Sequence, residues 1–211
     1  MIKLHGASGS NYYNIVKTAL LEKGIAFEAV AAQPSQEPSY LSKSPMGKIP
    51  CIETAEGFLA ETHVILDYLE EIHPKPALLP TDAFARAKVR ELVQSVELYV
   101  ELVARRGFGV FFDREVPEHV KESLKQELPK GVAAIGKLAK FSPWIAGSQF
   151  TYADLFAYWA FSLASLSAQR NAGIDLFAQL PGAQAWYDKV AARESVKKAL
   201  ADQAAARKAR A

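Results

Sequence analysis

The chain has 211 residues, half of them hydrophobic and 23% charged, with 25 Lys and Arg against 23 Asp and Glu for a net charge of +2. This is the composition of a globular protein, not a disordered one, and the interspersed signs argue against the one-sided basic face of a nucleic-acid binder. The single cysteine, Cys51, excludes an intramolecular disulfide and any multi-cysteine metal site, so a reducing compartment fits. The N-terminus shows no charged start followed by an apolar run, and no run elsewhere reaches the ~18 residues of a membrane span, so the expected protein is soluble and cytoplasmic.

In chain order, residues 2–5 form a short β-prone run that ends in Gly6-Ala7-Ser8-Gly9-Ser10-Asn11, a cluster of turn and cap residues. A helix follows, with Ile15, Val16, Ala19 and Leu20 at helical spacing and Glu22-Lys23-Gly24 as its stop. Residues 27–30 read as a second strand. Residues 31–45 carry Pro34, Pro38 and Pro45 and read as a loop with one helical turn near Tyr40 and Leu41; a connection of that length hints at function. Residues 49–53 and 58–60 are short strands joined by Thr54-Ala55-Glu56-Gly57, an antiparallel hairpin. Val64, Ile65, Tyr68, Leu69 and Ile72 then make an amphipathic helix that Pro74 and Pro76 terminate.

Beyond residue 81 every segment reads as helix. Leu92, Val93, Val96, Tyr99, Val100 and Val103 share one face, and Pro129 predicts a kink or a short loop inside a helical pattern. Thr151-Tyr152-Ala153-Asp154 matches a capping box ahead of an almost wholly apolar helix through Leu155, Phe156, Tyr158, Trp159 and Phe161. A last helix starts near Pro181 and carries Trp186, Tyr187, Val190 and Val196, and the alanine-rich basic tail, residues 201–211, is expected to fray. The expected organisation is an α/β domain over residues 1–76, a linker over 77–82 and an all-α helical bundle over 83–211.

These residues carry a resemblance that covers essentially the whole chain. Ser44-Pro45-Met46-Gly47-Lys48-Ile49-Pro50 resembles the loop before the cis-proline of the cytosolic glutathione transferases, Ala60-Glu61-Thr62 resembles their Glu-Ser pair at a helix start, and Ile65-Leu66-Asp67-Tyr68-Leu69 follows as in that family. Thr151 to Asp154 is similar to the family's capping box. The resemblance implies a thioredoxin-like N-terminal domain, glutathione as co-substrate without a metal, and a cytoplasmic homodimer acting in detoxification. It implies that Ile49, before a cis Pro50, pairs with the cysteinyl backbone of glutathione. Glu61 and Thr62 would take the γ-glutamyl end, and Lys48 and Gln36 the glycyl end. Thr62 as a simple N-cap and Glu61 as a favourable charge at a helix start remain the plain alternatives.

One hydroxyl donor at the start of the first helix is about enough to activate the thiol without a general base. Counting back from Glu22-Lys23-Gly24, Ser10 falls where serine-type members of the family place it, with Ser8, Asn11, Tyr12 and Tyr13 as alternatives, and simple helix capping is the plain reading of Ser10 or Asn11. Cysteine is absent from this segment, so mixed-disulfide chemistry and the Ser-Ser-Cys signature of maleylacetoacetate isomerases are not supported. His63 and Asp67, four apart, suit a helix-surface pair better than a metal site. The expected function is conjugation of glutathione, as a thiolate, to an electrophilic apolar compound held between the two domains. Ser8, Tyr12, Tyr99, Val103 and Phe108 are the acceptor candidates, although each is equally suited to a core. A non-catalytic binding module and a glutathione-dependent dehalogenase, lyase or peroxidase on the same site are the competing readings.

Overall fold

The computed structural model describes residues 1–208, which fall into two compact units: residues 1–78 together with the chain from Ala191 onward, and Leu79–Val190. In the first unit the order is β1 (Ile2–Gly6), α1 (Asn11–Glu22), β2 (Phe27–Ala31), α2 (Pro38–Leu41), β3 (Cys51–Glu53), β4 (Phe58–Ala60) and α3 (Thr62–Ile72). The sheet runs β2-β1-β3-β4, with β2 parallel to β1 and β3 and β4 antiparallel to their neighbours. The parallel pair needs a crossover, and α1 supplies it, whereas Gly57 closes the β3–β4 turn by accepting from Thr54 N–H.

Strand alternation decides which face is apolar. Leu4 and Ile52 sit opposite each other in the ladder and turn, with Ile2, toward Tyr13, Val16 and Leu20 of α1 and Ile65 and Leu69 of α3. The alternate residues Lys3 and Glu53 are paired on the other face, where their side chains form a 2.8 Å ion pair. A second, buried ion pair fixes the far end of the helices. Lys23 Nζ lies 2.6 Å from Glu70 Oε2 and donates to the carbonyls of His73 and Pro76, while the Glu70 carboxylate accepts the Leu78 N–H. The end of α1, the end of α3 and the exit of the chain from this unit are thereby tied to one charge pair.

The expected grouping of all residues from 83 onward into one helical domain differs from the packing. Helix α8 (Ala183–Ala191) is separated by a short break from α9 (Glu194–Lys208), so Val196 does not continue the helix of Trp186. Residues 201–208, expected to fray, are helical; the remainder of that expectation lies outside the described residues. The reason is lateral anchoring. Asp202 pairs with Lys17 Nζ at 2.7 Å, Arg193 pairs with Glu22 at 2.5 Å, and Val196 and Ala199 are buried. The Lys17 hydrogen bond holds the Asp202 carboxyl below the usual carboxylate range.

The second unit holds α4 (Ala83–Val96), a π-helical segment (Glu97–Glu101), α5 (Leu102–Arg105), a 3₁₀ turn (Phe108–Phe112), α6 (Glu118–Leu138), α7 (Tyr152–Ala172) and most of α8. The π segment corrects the expected apolar stripe. Its wider turn rotates Tyr99 out to 52% exposure while Val96, Val100 and Val103 stay buried. Helix α6 approaches there so closely that a Cβ at Gly131 would lie 2.1 Å from the Tyr99 carbonyl oxygen. Pro129 sits within α6 without interrupting it.

At the start of α7, Thr151 Oγ1 accepts from Ala153 N–H, and Asp154 accepts from the Thr151 and Ile145 amides and from Trp186 Nε1 at 2.7–2.8 Å. Burial pushes the Asp154 carboxyl up, and these N–H donors oppose it.

Two stability outcomes follow from these buried charges. Lys23→Met removes the buried ammonium that pairs with Glu70 and ties the carbonyls of His73 and Pro76, and equilibrium urea unfolding followed by circular dichroism is expected to show a loss of about 3–5 kcal/mol. Asp154→Ala orphans buried N–H donors, with an expected loss of about 3 kcal/mol. Tryptophan fluorescence reads this second change directly, because Trp144, Trp159 and Trp186 all lie in the second unit.

Candidate functional site

One row of residues crosses the whole sheet: Val30 of β2 beside His5 of β1, His5 beside Cys51 of β3, and Cys51 beside Ala60 of β4. At that end β1 leads into the Ser10 turn and β2 into the loop bearing Gln36. Chain also enters β3 there through Ile49 and Pro50, and β4 leaves there for Glu61 and Thr62. The register therefore gathers at one edge four segments separated by up to about 50 residues in sequence.

Ser10 is the N-cap of α1. Its Oγ accepts the Tyr13 N–H at 3.3 Å, and its own amide donates to Ala7 O at 2.9 Å, which closes the turn. A hydroxyl has two lone pairs and one proton, so this capping contact leaves the Ser10 O–H proton able to donate elsewhere. Asn11 is buried, Tyr12 half-buried, and Ser8 half-buried with its carbonyl engaged by Asn14 Nδ2 at 2.8 Å. The Tyr13 ring belongs to the hydrophobic core, and burial pushes its phenol up, which keeps that hydroxyl protonated.

The loop before β3 is shaped by Gly47. At φ +64 it occupies the left-handed region, and a Cβ there would lie 2.2 Å from Ser35 O, so only glycine fits. The Ser35 N–H donates to Gly47 O at 2.9 Å and Gln36 Nε2 to Met46 O at 3.3 Å, which brings Gln36 beside the segment that holds Lys48. Tyr40 Oη donates to Lys48 O at 3.2 Å. The Ile49–Pro50 peptide bond is cis, Pro50 is buried and the Lys48 side chain is exposed.

Glu61 is the conformational outlier of the site. It has φ 65 and ψ 118, a region disfavoured for a residue with a Cβ and costing about 1–3 kcal/mol. It occupies the N-cap position of α3, yet its side chain makes no capping hydrogen bond, and Thr62 is the buried first residue of the helix. Thr62 is therefore not the N-cap of α3, whereas Glu61 still stands where a negative charge favours a helix start. The first-turn amides of α3 present a partial positive charge to any anion at this edge.

The other chemistry nearby is closed. Cys51 is fully buried and burial pushes its thiol up, so the one cysteine is not a ready nucleophile. Hydrogen bonds from Lys3 and then His5 hold the Glu53 carboxyl below its usual range. Among the described residues no group of three or more His, Cys, Asp and Glu side chains has a metal-binding arrangement, and no helix is long and apolar enough to cross a membrane.

Ser8, Ser10, Asn11, Tyr12, Gln36, Lys48, Ile49, Pro50, Glu61 and Thr62 all belong to the segments at this edge of the first unit. Tyr99, Val103 and Phe108 belong to the second unit, where Val103 and Phe108 are buried and Tyr99 is exposed. Sequence reasoning missed Asn14, Lys17 and Gln203, although Val196, Ala199 and Gln203 stand at helical spacing in the tail and signal a packed face.

Comparison with known proteins gives this geometry its family. The family profile described as Glutathione S-transferase, N-terminal domain, matches residues 4–77, and that of the Glutathione S-transferase, C-terminal domain, matches residues 86–189. A Pseudomonas putida protein named Glutathione S-transferase is 44% identical over 206 residues, 97% of this chain and 94% of its own length. The maleylacetoacetate isomerase of Pseudomonas aeruginosa is 27% identical over 155 residues, 67% of this chain and 71% of its own. Among solved structures, a glutathione S-transferase from Rhodospirillum rubrum aligns with a TM-score of 0.77 at 26% identity, covering 95% of this chain and 92% of that one. Both family domains are matched in order along a chain whose sheet edge gathers these segments: the protein belongs to the glutathione S-transferase family.

Proposed function

We propose that the chain binds glutathione at this sheet edge, stabilises its thiolate through Ser10 Oγ and transfers it to an electrophilic, mostly apolar small molecule. The observation that carries the reading is the Ser10 hydroxyl itself, an N-cap acceptor whose proton is chemically free to donate. Glutathione has two carboxylates, an ammonium and a thiol, so its site needs separated complements. Thr62 and the first-turn amides of α3 suit the γ-glutamyl carboxylate and Glu61 its ammonium. Ile49 offers main-chain groups outside the β3 ladder to the cysteinyl backbone. Lys48 and Gln36 suit the glycyl carboxylate, and Asn11 and Pro50 complete the walls. For the acceptor, the family resemblance points to Ser8, Tyr12, Tyr99, Val103 and Phe108. It also extends the reading to a cytoplasmic homodimer that clears electrophiles.

The energetics are sufficient. A free thiol titrates near 8.5, which leaves roughly 3% thiolate at pH 7. Bringing it to about 6.5 requires about 2.7 kcal/mol of preferential stabilisation. One hydrogen bond to a charged acceptor supplies about 1.5–3 kcal/mol, and the start of α1 adds about 0.3–1 kcal/mol. No general base is needed. The thiolate attacks the electrophilic carbon, a C–S bond forms, and the leaving group departs with the bonding pair, or the pair moves onto a conjugated acceptor.

Ser10→Ala is expected to lower turnover with a generic aryl halide at least tenfold, about 1.4 kcal/mol, and to move the alkaline rise of the rate to higher pH. The loss should be largest below pH 7 and shrink above the free-thiol value. Unchanged rate and pH dependence would remove Ser10 from the reaction. Retention on immobilised glutathione without turnover across an electrophile panel would show a binding module instead. Glu61→Gly separates function from fold, because glycine relieves the positive φ. Its thermal midpoint is expected to hold or rise while KM for glutathione rises at least fivefold.

A further inference from the structure

The turn that carries Ser10 is braced from the far end of the chain. The Ser8 carbonyl oxygen accepts two side-chain donors: Asn14 Nδ2 at 2.8 Å from α1 and Gln203 Nε2 at 3.1 Å from α9. Two donors on one carbonyl fix the plane of the Ser8–Gly9 peptide, which lies inside the turn closed by Ser10 N–H and Ala7 O. Gly9 cannot hold the turn by packing, since a Cβ built there would meet nothing within 4 Å. Asn14 shares this role through Nδ2, while its Oδ1 is buried with no hydrogen-bond partner among the described residues.

Beside Gln203, Asp202 receives Lys17 Nζ at 2.7 Å, with Lys198 3.9 Å from the same carboxylate. Lys17 in turn lies over the ring of Tyr13 at 5.9 Å, and Tyr13 supplies the amide that Ser10 Oγ caps. Adjacent residues of α9 thus reach both sides of Ser10: the peptide that precedes it and the helical turn that follows it.

We infer that Gln203 is a positioning residue, through which α9 holds the Ala7–Ser10 turn in the orientation that aims its hydrogen-bond donor at the glutathione thiol, with the Lys17–Asp202 pair keeping α9 in register. This rests on the proposed role of the turn in thiolate stabilisation. Gln203 touches the chemistry only through Ser8 O, so its loss misdirects a donor and leaves the glutathione-binding groups at Ile49, Glu61 and Thr62 in place.

The test uses the full chain with two variants, Gln203→Glu and Gln203→Met. Both abolish the N–H donor at similar side-chain length, and only the first adds a charge. With glutathione and an aryl halide, both are expected to lower kcat three- to tenfold and to move the pH–rate rise upward. KM for glutathione should stay within twofold and the thermal midpoint near the parent's. Profiles that superimpose on the parent overturn the inference. A shift in Gln203→Glu alone also overturns it, since that is the added charge acting on the thiolate. So does a lowered thermal midpoint with an unmoved pH profile, which is a structural clamp and nothing more. Ser10→Ala run in parallel distinguishes the two readings. A shift in both Gln203 variants with none in Ser10→Ala keeps the brace and moves the donor to another group on the turn. A shift in Ser10→Ala with none in the Gln203 variants keeps the serine and removes the brace.

Discussion

The first unit depends on a helix that has almost no solvent face. From Tyr13 to Leu20 every residue of α1 is buried, including Asn14, Lys17 and Thr18. Such a helix can neither slide nor rotate without breaking contacts on several sides at once, because packed interiors resist even small displacements. The sheet and α3 cover it on one side through Val16, Leu20, Ile65 and Leu69, and the last segment of the chain covers it through the Lys17–Asp202 pair from α9 and the Glu22–Arg193 pair from the residue just before α9. The polar residues on α1 are tolerated because partners reach them: Asp202 for Lys17, and main-chain carbonyls for Thr18.

A helix held this way delivers its N-terminus to a fixed point. The sheet register does the same for the other segments, since the row from Val30 through His5 and Cys51 to Ala60 leaves three loops and a helix start at one edge. Strain is then affordable at that edge. Glu61 keeps an unfavourable backbone conformation with no capping contact in return, which persists only where surrounding structure over-determines a residue. The Gly47 turn is equally constrained, and there the chain meets the constraint by omitting a Cβ.

Much of this was legible from residues alone. The β-prone run before Gly6, the glycine after Lys23, the four-residue hairpin ending at Gly57 and the Thr151–Asp154 box are local signals, and each element stands where its signal does. What misled was local too. Tyr99 fits an ideal α-helical stripe, and only a π segment packed against Gly131 turns it outward. The tail from residue 201 has the composition of a fraying end, because alanine gives little contrast between a buried face and an exposed one.

The sequence by itself determined most of the elements and their division into an α/β part and a helical part, though not where the last helix packs, because turn chemistry and periodicity are properties of short stretches. Tertiary structure alone decided which of the cap candidates Ser10 and Asn11 is the N-cap, that Glu61 is strained and not capping, and that Gln203 reaches Ser8 across 195 positions. Those facts depend on which backbone atoms meet in space, and the spacing of residues along the chain does not encode a meeting between its two ends.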